Sequence, residues 1–114
     1  MLAVVFARDG VVPSGGDEAA AECAGQVLVC GTGTSEAAAA LAATGSQHIL
    51  PLEAGAFQPS RLAAMLSQVP AVLDADAIIL PGSPDGRDLA PQLAHQLRRP
   101  LLAGATQVAA GQVW

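Results

Sequence analysis

Lysine is missing from this chain, and aromatic residues make up only 3% of it. The five basic residues are all arginine and face ten acidic ones, so the net charge is −5 at pH 7. This balance argues against nucleic acid or an anionic membrane surface as a partner. A phosphate-binding P-loop is excluded because that motif requires a lysine. With 52% hydrophobic residues but few aromatics, the core must be packed from small side chains.

Long hydrophobic runs are also absent. No stretch approaches the roughly 18–20 apolar residues of a membrane span, and residues 1–8 lack the basic segment that opens a signal peptide. We therefore expect a cytoplasmic protein. The two cysteines, Cys23 and Cys30, fall in a helical pattern and at a strand end. They favour buried small hydrophobes over a metal site, and redox chemistry would require the fold to bring them together.

Apolar runs alternate with helical patterns along the whole chain, which predicts one α/β domain over residues 1–114. The expected architecture is a doubly wound, mostly parallel sheet of about five strands. Strands are predicted at 2–7, 26–30, 47–52, 77–80 and 101–104, with the beginning of an antiparallel pair within 106–114. Helices are predicted at 17–25, 37–43 and 57–69. Because Pro91 lacks an amide hydrogen, the last helix is predicted to begin at about Leu89 and end at 97, or to bend near Leu89.

The turn at 82–88 is the most chemically distinctive segment. Ser83 or Asp85 can cap the following helix, and the aspartates suit its positive end. Gly82 and Gly86 allow another chain or a ligand to approach closely. By itself, this segment is a well-capped connection between a strand and a helix.

The same segment resembles a family signature. Residues 86–91, Gly-Arg-Asp-Leu-Ala-Pro, follow an apolar strand and Pro81. This run resembles the strand-to-helix signature in the N-terminal domain of electron transfer flavoprotein alpha subunits, although Gln92 replaces the usual arginine. The sequence of residues 83–88, Ser-Pro-Asp-Gly-Arg-Asp, resembles that of the mycofactocin-associated variety of this family. The resemblance implies a Rossmann-like fold related to the adenine nucleotide alpha hydrolases, and docking to a beta subunit.

In the complete heterodimer, the resemblance implies that FAD carries electrons between dehydrogenases and a membrane acceptor. A full alpha subunit continues into a second domain with the FAD site, so we expect that domain to be absent from this chain, which ends at Trp114. No catalytic or FAD-binding residue is assigned here. Arg87 and Asp88 are expected to hold the fold as a pair, with Arg87 reaching a carbonyl or carboxylate of a neighbouring loop. A solvated residue at the helix start is an equally good interpretation of Arg87. A fragment with exposed docking surfaces would self-associate.

A second hypothesis is a free-standing nucleotide-binding module or small enzyme. Ligands of doubly wound sheets bind beyond the carboxyl ends of the strands, where the loops after the first and fourth strands would meet if those strands are neighbours. In this hypothesis the arginines of the two loops contact phosphate. The candidate residues are Arg8, Asp9, Gly10, Gly82, Ser83, Asp85, Gly86 and Arg87.

The turn at 31–36 carries a weaker phosphate signal. A Gly-x-Gly pair precedes a helix, but Glu36 occupies the place of the third glycine of the dinucleotide-binding pattern. A tight turn capped by Thr34 or Ser35 is favoured. His48 is interpreted as a packing or edge residue, because no nucleophile or carboxylate is spaced to form a triad with it.

Overall fold

The computed structural model describes residues 1–13 and 15–99 and the backbone of residues 107–108, and it alternates strands with helices. The elements are β1 Leu2–Ala7, α1 Gly16–Glu22, β2 Gln26–Gly31, α2 Thr34–Ala43, β3 His48–Glu53, α3 Pro59–Leu66, α4 Pro70–Asp74, β4 Ile78–Ile79, α5 Pro84–Leu97 and β5 Gln107–Val108. Strand β1 has the predicted bounds, β2 ends one residue later than predicted, and β3 begins and ends one residue later than predicted.

The strands form one sheet in the order β3-β2-β1-β4-β5. Strands β3, β2, β1 and β4 are parallel, whereas β5 pairs antiparallel with β4. Strands β1, β2 and β3 lie side by side in chain order, and the chain then returns across the sheet to place β4 on the other side of β1. The direction in which strands are added to the sheet therefore reverses between β1 and β4. The predicted doubly wound, mostly parallel α/β fold is confirmed.

The two faces of the sheet are covered by different kinds of helix. Successive side chains of β1 point to opposite faces, so Val4 and Phe6 meet α3 and α5 whereas Val5 meets α1 and α2. The α3 and α5 face combines four leucines with three alanines: Leu62, Leu66, Leu89 and Leu93, and Ala63, Ala90 and Ala94. The opposite helices contribute mainly alanines together with Leu41: Ala19, Ala20 and Ala37. Small side chains therefore pack against both faces of the sheet, and the leucines add volume mainly on the α3 and α5 face.

Helix α5 begins earlier than predicted. It starts at Pro84 and runs through Pro91, so the predicted start near Leu89 is wrong. The reason is local: the Ser83 side chain accepts a hydrogen bond from the Gly86 amide at 3.3 Å, and a proline in the first turn needs no partner for its nitrogen. Pro91 lies inside the helix and removes the amide that would donate to the Arg87 carbonyl, while Leu89, Ala90, Leu93 and Ala94 remain buried on both sides of it.

Strand β4 is shorter than predicted: its ladder covers only Ile78 and Ile79, although Leu80 and Pro81 beyond it are also buried. The predicted helix at 57–69 ends as α3 at Leu66, and Pro70 opens the short helix α4. The predicted strand at 101–104 and the turn around Ala110–Gly111 lie outside the described residues, as does Trp114.

Arg99 ties the end of α5 to the connection between α4 and β4. Its guanidinium donates to the carbonyl oxygens of Leu73 and Ala75, each at 2.8 Å. Both acceptors lie at the end of α4, where carbonyl groups have no partner within the helix. Although α5 and α4 are separate in sequence, this contact fixes them against each other.

Candidate functional site

The loops after β1 and β4 meet at the carboxyl ends of the strands, as the topology predicted. Strands β1 and β4 are neighbours, paired at Leu2 with Ile78 and Ala3 with Ile79. Beyond them the Arg8 guanidinium donates from Nε and Nη2 to the two carboxylate oxygens of Asp85, at 2.7 and 2.8 Å. This bidentate ion pair spans the position where the building of the sheet changes direction, which is the usual ligand position of such sheets.

Two aromatic rings lie under the Arg8 guanidinium. Its central carbon is 5.8 Å from the centroid of the Phe6 ring and 5.5 Å from that of Phe57. The rings themselves meet edge to face, with centroids 4.7 Å apart. The hydrogen bond to Asp85, and then its charge, raise the pKa of Arg8. The positive charge of Arg8 is therefore satisfied inside the chain by a carboxylate and by the ring faces.

A second carboxylate occupies the start of α2. Glu53, the last residue of β3, accepts hydrogen bonds from the Gly33 amide at 3.3 Å, the Thr34 amide at 3.2 Å and the Thr34 hydroxyl at 2.9 Å. These bonds lower the pKa of Glu53, and the backbone bond from Thr34 is the largest cause. The amide groups that a phosphate would use at this helix start are bonded to Glu53.

The cap predicted for α2 is therefore wrong. Thr34 is the first helical residue, and Gly33 precedes it in the left-handed region without a side-chain cap. Sequence reasoning missed Glu53 because the contact depends on the pairing of Gly31 with Glu53 across two strands. The available signal was an acidic residue at the end of an apolar strand, in a chain that also has a glycine-rich turn before a helix.

Asp9 and Gly10 turn toward the loop after β2. The Asp9 amide donates to the Thr32 hydroxyl at 2.8 Å, and the Gly10 amide donates to the Thr32 carbonyl at 3.0 Å. A side chain at Gly33 would collide with the backbone of Gly10. The Gly-x-Gly turn is thus needed for the close approach of two loops.

The turn after β4 contains buried and exposed residues. A Cβ atom at Gly86 would meet the Pro81 carbonyl oxygen, whereas nothing lies within 4 Å of the corresponding position at Gly82. Arg87 and Asp88 are exposed, and within residues 1–13 and 15–99 neither side chain forms a hydrogen bond or ion pair. Within the described residues Arg87 reaches no carbonyl or carboxylate of a neighbouring loop, so the alternative of a solvated residue describes it, and Asp85 makes the contact that joins this turn to another loop.

The two cysteines and His48 do not form a reactive site. Cys23 and Cys30 are buried in the clusters on opposite faces of the sheet. Burial raises the pKa of both thiols, to about 12 for Cys30. The interpretation as buried small hydrophobes is confirmed, and a redox pair is excluded by this separation. His48 lies exposed on the edge strand β3.

Two further findings concern only the part of the chain that the structure describes. It contains no cluster of three or more histidine, cysteine or acidic side chains suited to a metal ion. No helix within it has the length and apolar character required to cross a bilayer.

The family model described as electron transfer flavoprotein domain matches residues 17–113. This chain belongs to the electron transfer flavoprotein domain family. Members of the family are flavin-associated electron carriers rather than enzymes. Comparisons with curated proteins and with solved structures returned no match.

The matched part of this electron transfer flavoprotein domain contains the turn at 82–88, helix α5 and Glu53, whereas Arg8 precedes it. The family resemblance of residues 86–91 now has a partial structural explanation. Gly86, Leu89 and Ala90 are buried and pack α5 onto the sheet. The remaining members of the motif, Arg87, Asp88 and Pro91, are exposed.

The described residues do not fit FAD. A flavin dinucleotide requires donors for its diphosphate. Two groups of donors at the carboxyl ends of the strands could bind an anion, the Arg8 guanidinium and the amides at the start of α2, and we call them the two anion positions. They are bonded to the carboxylates of Asp85 and Glu53, respectively. Neither carboxylate could remain beside a diphosphate without strong repulsion between like charges. No step of electron transfer is therefore assigned to these residues.

Proposed function

We propose that this chain is the N-terminal scaffold and partner-docking domain of an electron transfer flavoprotein alpha subunit. It serves FAD-mediated electron transfer in a cytoplasmic heterodimer with a beta subunit, which exchanges electrons with dehydrogenases. The family match over 17–113 and the signature at 86–91 support this proposal. The sequence of residues 83–88 supports the mycofactocin-associated variety within the family.

One observation favours a scaffold over a nucleotide site: the chain's own carboxylates hold both anion positions. Asp85 accepts both hydrogen bonds from Arg8, and Glu53 accepts those from the start of α2. A phosphate would have to break these contacts and then bind beside the displaced carboxylates. In the complete protein, the FAD site lies outside the residues described here.

The first test measures ligand binding by the purified chain. Isothermal titration with AMP, ATP and FAD, together with the absorbance spectrum as isolated, should give no binding and no flavin bands. Tight binding of AMP without flavin would favour the nucleotide-binding module instead. In that case Arg8→Met should abolish binding, since Arg8 is the arginine that reaches the cleft between the two loops.

The second test addresses docking. The chain is co-expressed with an electron transfer flavoprotein beta subunit from the same genome, and the two are passed together through a sizing column. A complex that elutes ahead of either chain supports the docking role, and separate elution contradicts it. Light scattering of the chain alone tests the accompanying expectation of self-association, which the beta subunit should suppress if both use the same surface.

A further inference from the structure

Strand β3 forms an outer edge of the sheet, and among the described strands only β2 is bonded to it. At its two ends, the His48 amide donates to the Gly25 carbonyl at 3.1 Å and the Ala54 amide donates to the Gly31 carbonyl at 2.8 Å. Hydrogen bonding alternates along a strand in a parallel ladder. Even-numbered residues of β3 therefore direct their backbone groups toward β2.

The odd-numbered residues direct their backbone groups away from the sheet. They are Ile49, Pro51 and Glu53. The central one is a proline, which has no amide hydrogen and carries its ring where the hydrogen would be. An incoming strand would therefore find a donor at Ile49 and at Glu53, separated by roughly 13 Å of strand, with the Pro51 ring between them.

Other protection of this edge is scarce. Edge strands are commonly shielded by charged side chains, above all lysine, yet the chain has no lysine and β3 carries no acidic or basic residue before Glu53 apart from His48. Leu50 is 44% exposed on this strand. We propose that Pro51 keeps the β3 edge from pairing with the β3 edge of a second copy of this chain.

The test restores the missing amide. Pro51→Thr and Pro51→Val each return one outward donor, and symmetric pairing of two edges would regain one hydrogen bond from each copy. Sedimentation velocity over a concentration series should then show dimerisation at least about tenfold tighter than in the unsubstituted chain. Pro84→Thr is the matched control, because Pro84 is an exposed proline in the first turn of α5, which packs against α3, β1 and β5 rather than against β3. It should leave self-association unchanged.

Adding Leu50→Lys to Pro51→Thr supplies a charge beside the restored amide and should return self-association to its original level. The proposal is overturned if both Pro51 variants associate no more tightly than the unsubstituted chain. It is also overturned if association persists with the added lysine, since the contact would then lie elsewhere. Circular dichroism checks folding: loss of the native spectrum in both variants would show that Pro51 maintains the fold rather than guarding its edge.

Discussion

Gly86 is the residue of the family signature whose role can be tested most directly. It is buried in the first turn of α5, and a Cβ atom there would meet the carbonyl oxygen and carbon of Pro81. A backbone carbonyl cannot rotate away as a flexible side chain can. Gly86→Ala must therefore shift α5 away from the sheet or distort the turn at 82–88.

Two effects of this substitution oppose each other. Alanine favours a helix over glycine by roughly 0.5–1 kcal/mol. Overpacking of a closely packed site costs roughly 1–3 kcal/mol, and the rigidity of the backbone contact places the cost toward the upper end. We expect a net loss of about 2 kcal/mol in the free energy of unfolding, which lowers Tm by roughly 8 °C or more in a domain of this size.

Gly82→Ala is the matched control in the same turn. Gly82 is exposed, its φ is not positive, and nothing lies within 4 Å of its Cβ position. Alanine there should leave stability unchanged or raise it by about 0.4–1 kcal/mol, because it restricts the unfolded chain. Thermal and urea unfolding followed by circular dichroism measure both variants. A Gly86→Ala protein as stable as the parent, or an equal loss in Gly82→Ala, would refute the reasoning.

Three further predictions concern the core, the helix cap and the thiols. Leu93→Ala, at a fully buried position of α5, should cost about 2–5 kcal/mol in urea unfolding, whereas exposed Gln92→Ala should cost at most about 0.5 kcal/mol; equal costs would contradict the assigned helix face. The pKa of Glu53 is lowered in the folded state, so its stabilisation is complete above the unfolded pKa and is lost as pH falls through the folded one; Glu53→Gln should flatten the acid limb of stability against pH, and an unchanged limb would count against the cap. Because burial raises the pKa of Cys23 and Cys30, a thiol reagent should label neither at neutral pH until denaturant is added, and rapid labelling of the folded chain would show that they are accessible.

Sequence patterns predicted the helices and strands well where the burial of apolar side chains determines the element. The uninterrupted apolar run of β1 and the leucine spacing of α5 both lead to the observed burial. Pro91 misled the prediction of where α5 begins, because the cap at Ser83 and the burial of the helix outweigh one missing hydrogen bond. The helix existed as predicted, and only its boundary depended on the balance of these effects.

The candidate site was harder to predict because its contacts join distant residues. The sequence predicted that Arg87 reaches a neighbouring loop, yet the contact between the loops joins Arg8 and Asp85. That choice follows from the neighbouring positions of β1 and β4, which the topology could suggest without fixing the partners. The role of Glu53 required both the β2–β3 register and the direction of its side chain.

The unequal faces of the sheet have a consequence for how this domain tolerates mutation. On the face of α3 and α5, the leucines make loss of volume the main hazard, because truncation leaves a cavity. On the face of α1 and α2, Ala19, Ala20 and Ala37 have little volume to lose, and a larger side chain would push the helix off the sheet. The two sides therefore limit sequence drift differently: the α1 and α2 side resists mainly growth, whereas the α3 and α5 side, with Ala63, Ala90 and Ala94 among its leucines, resists both shrinkage and growth.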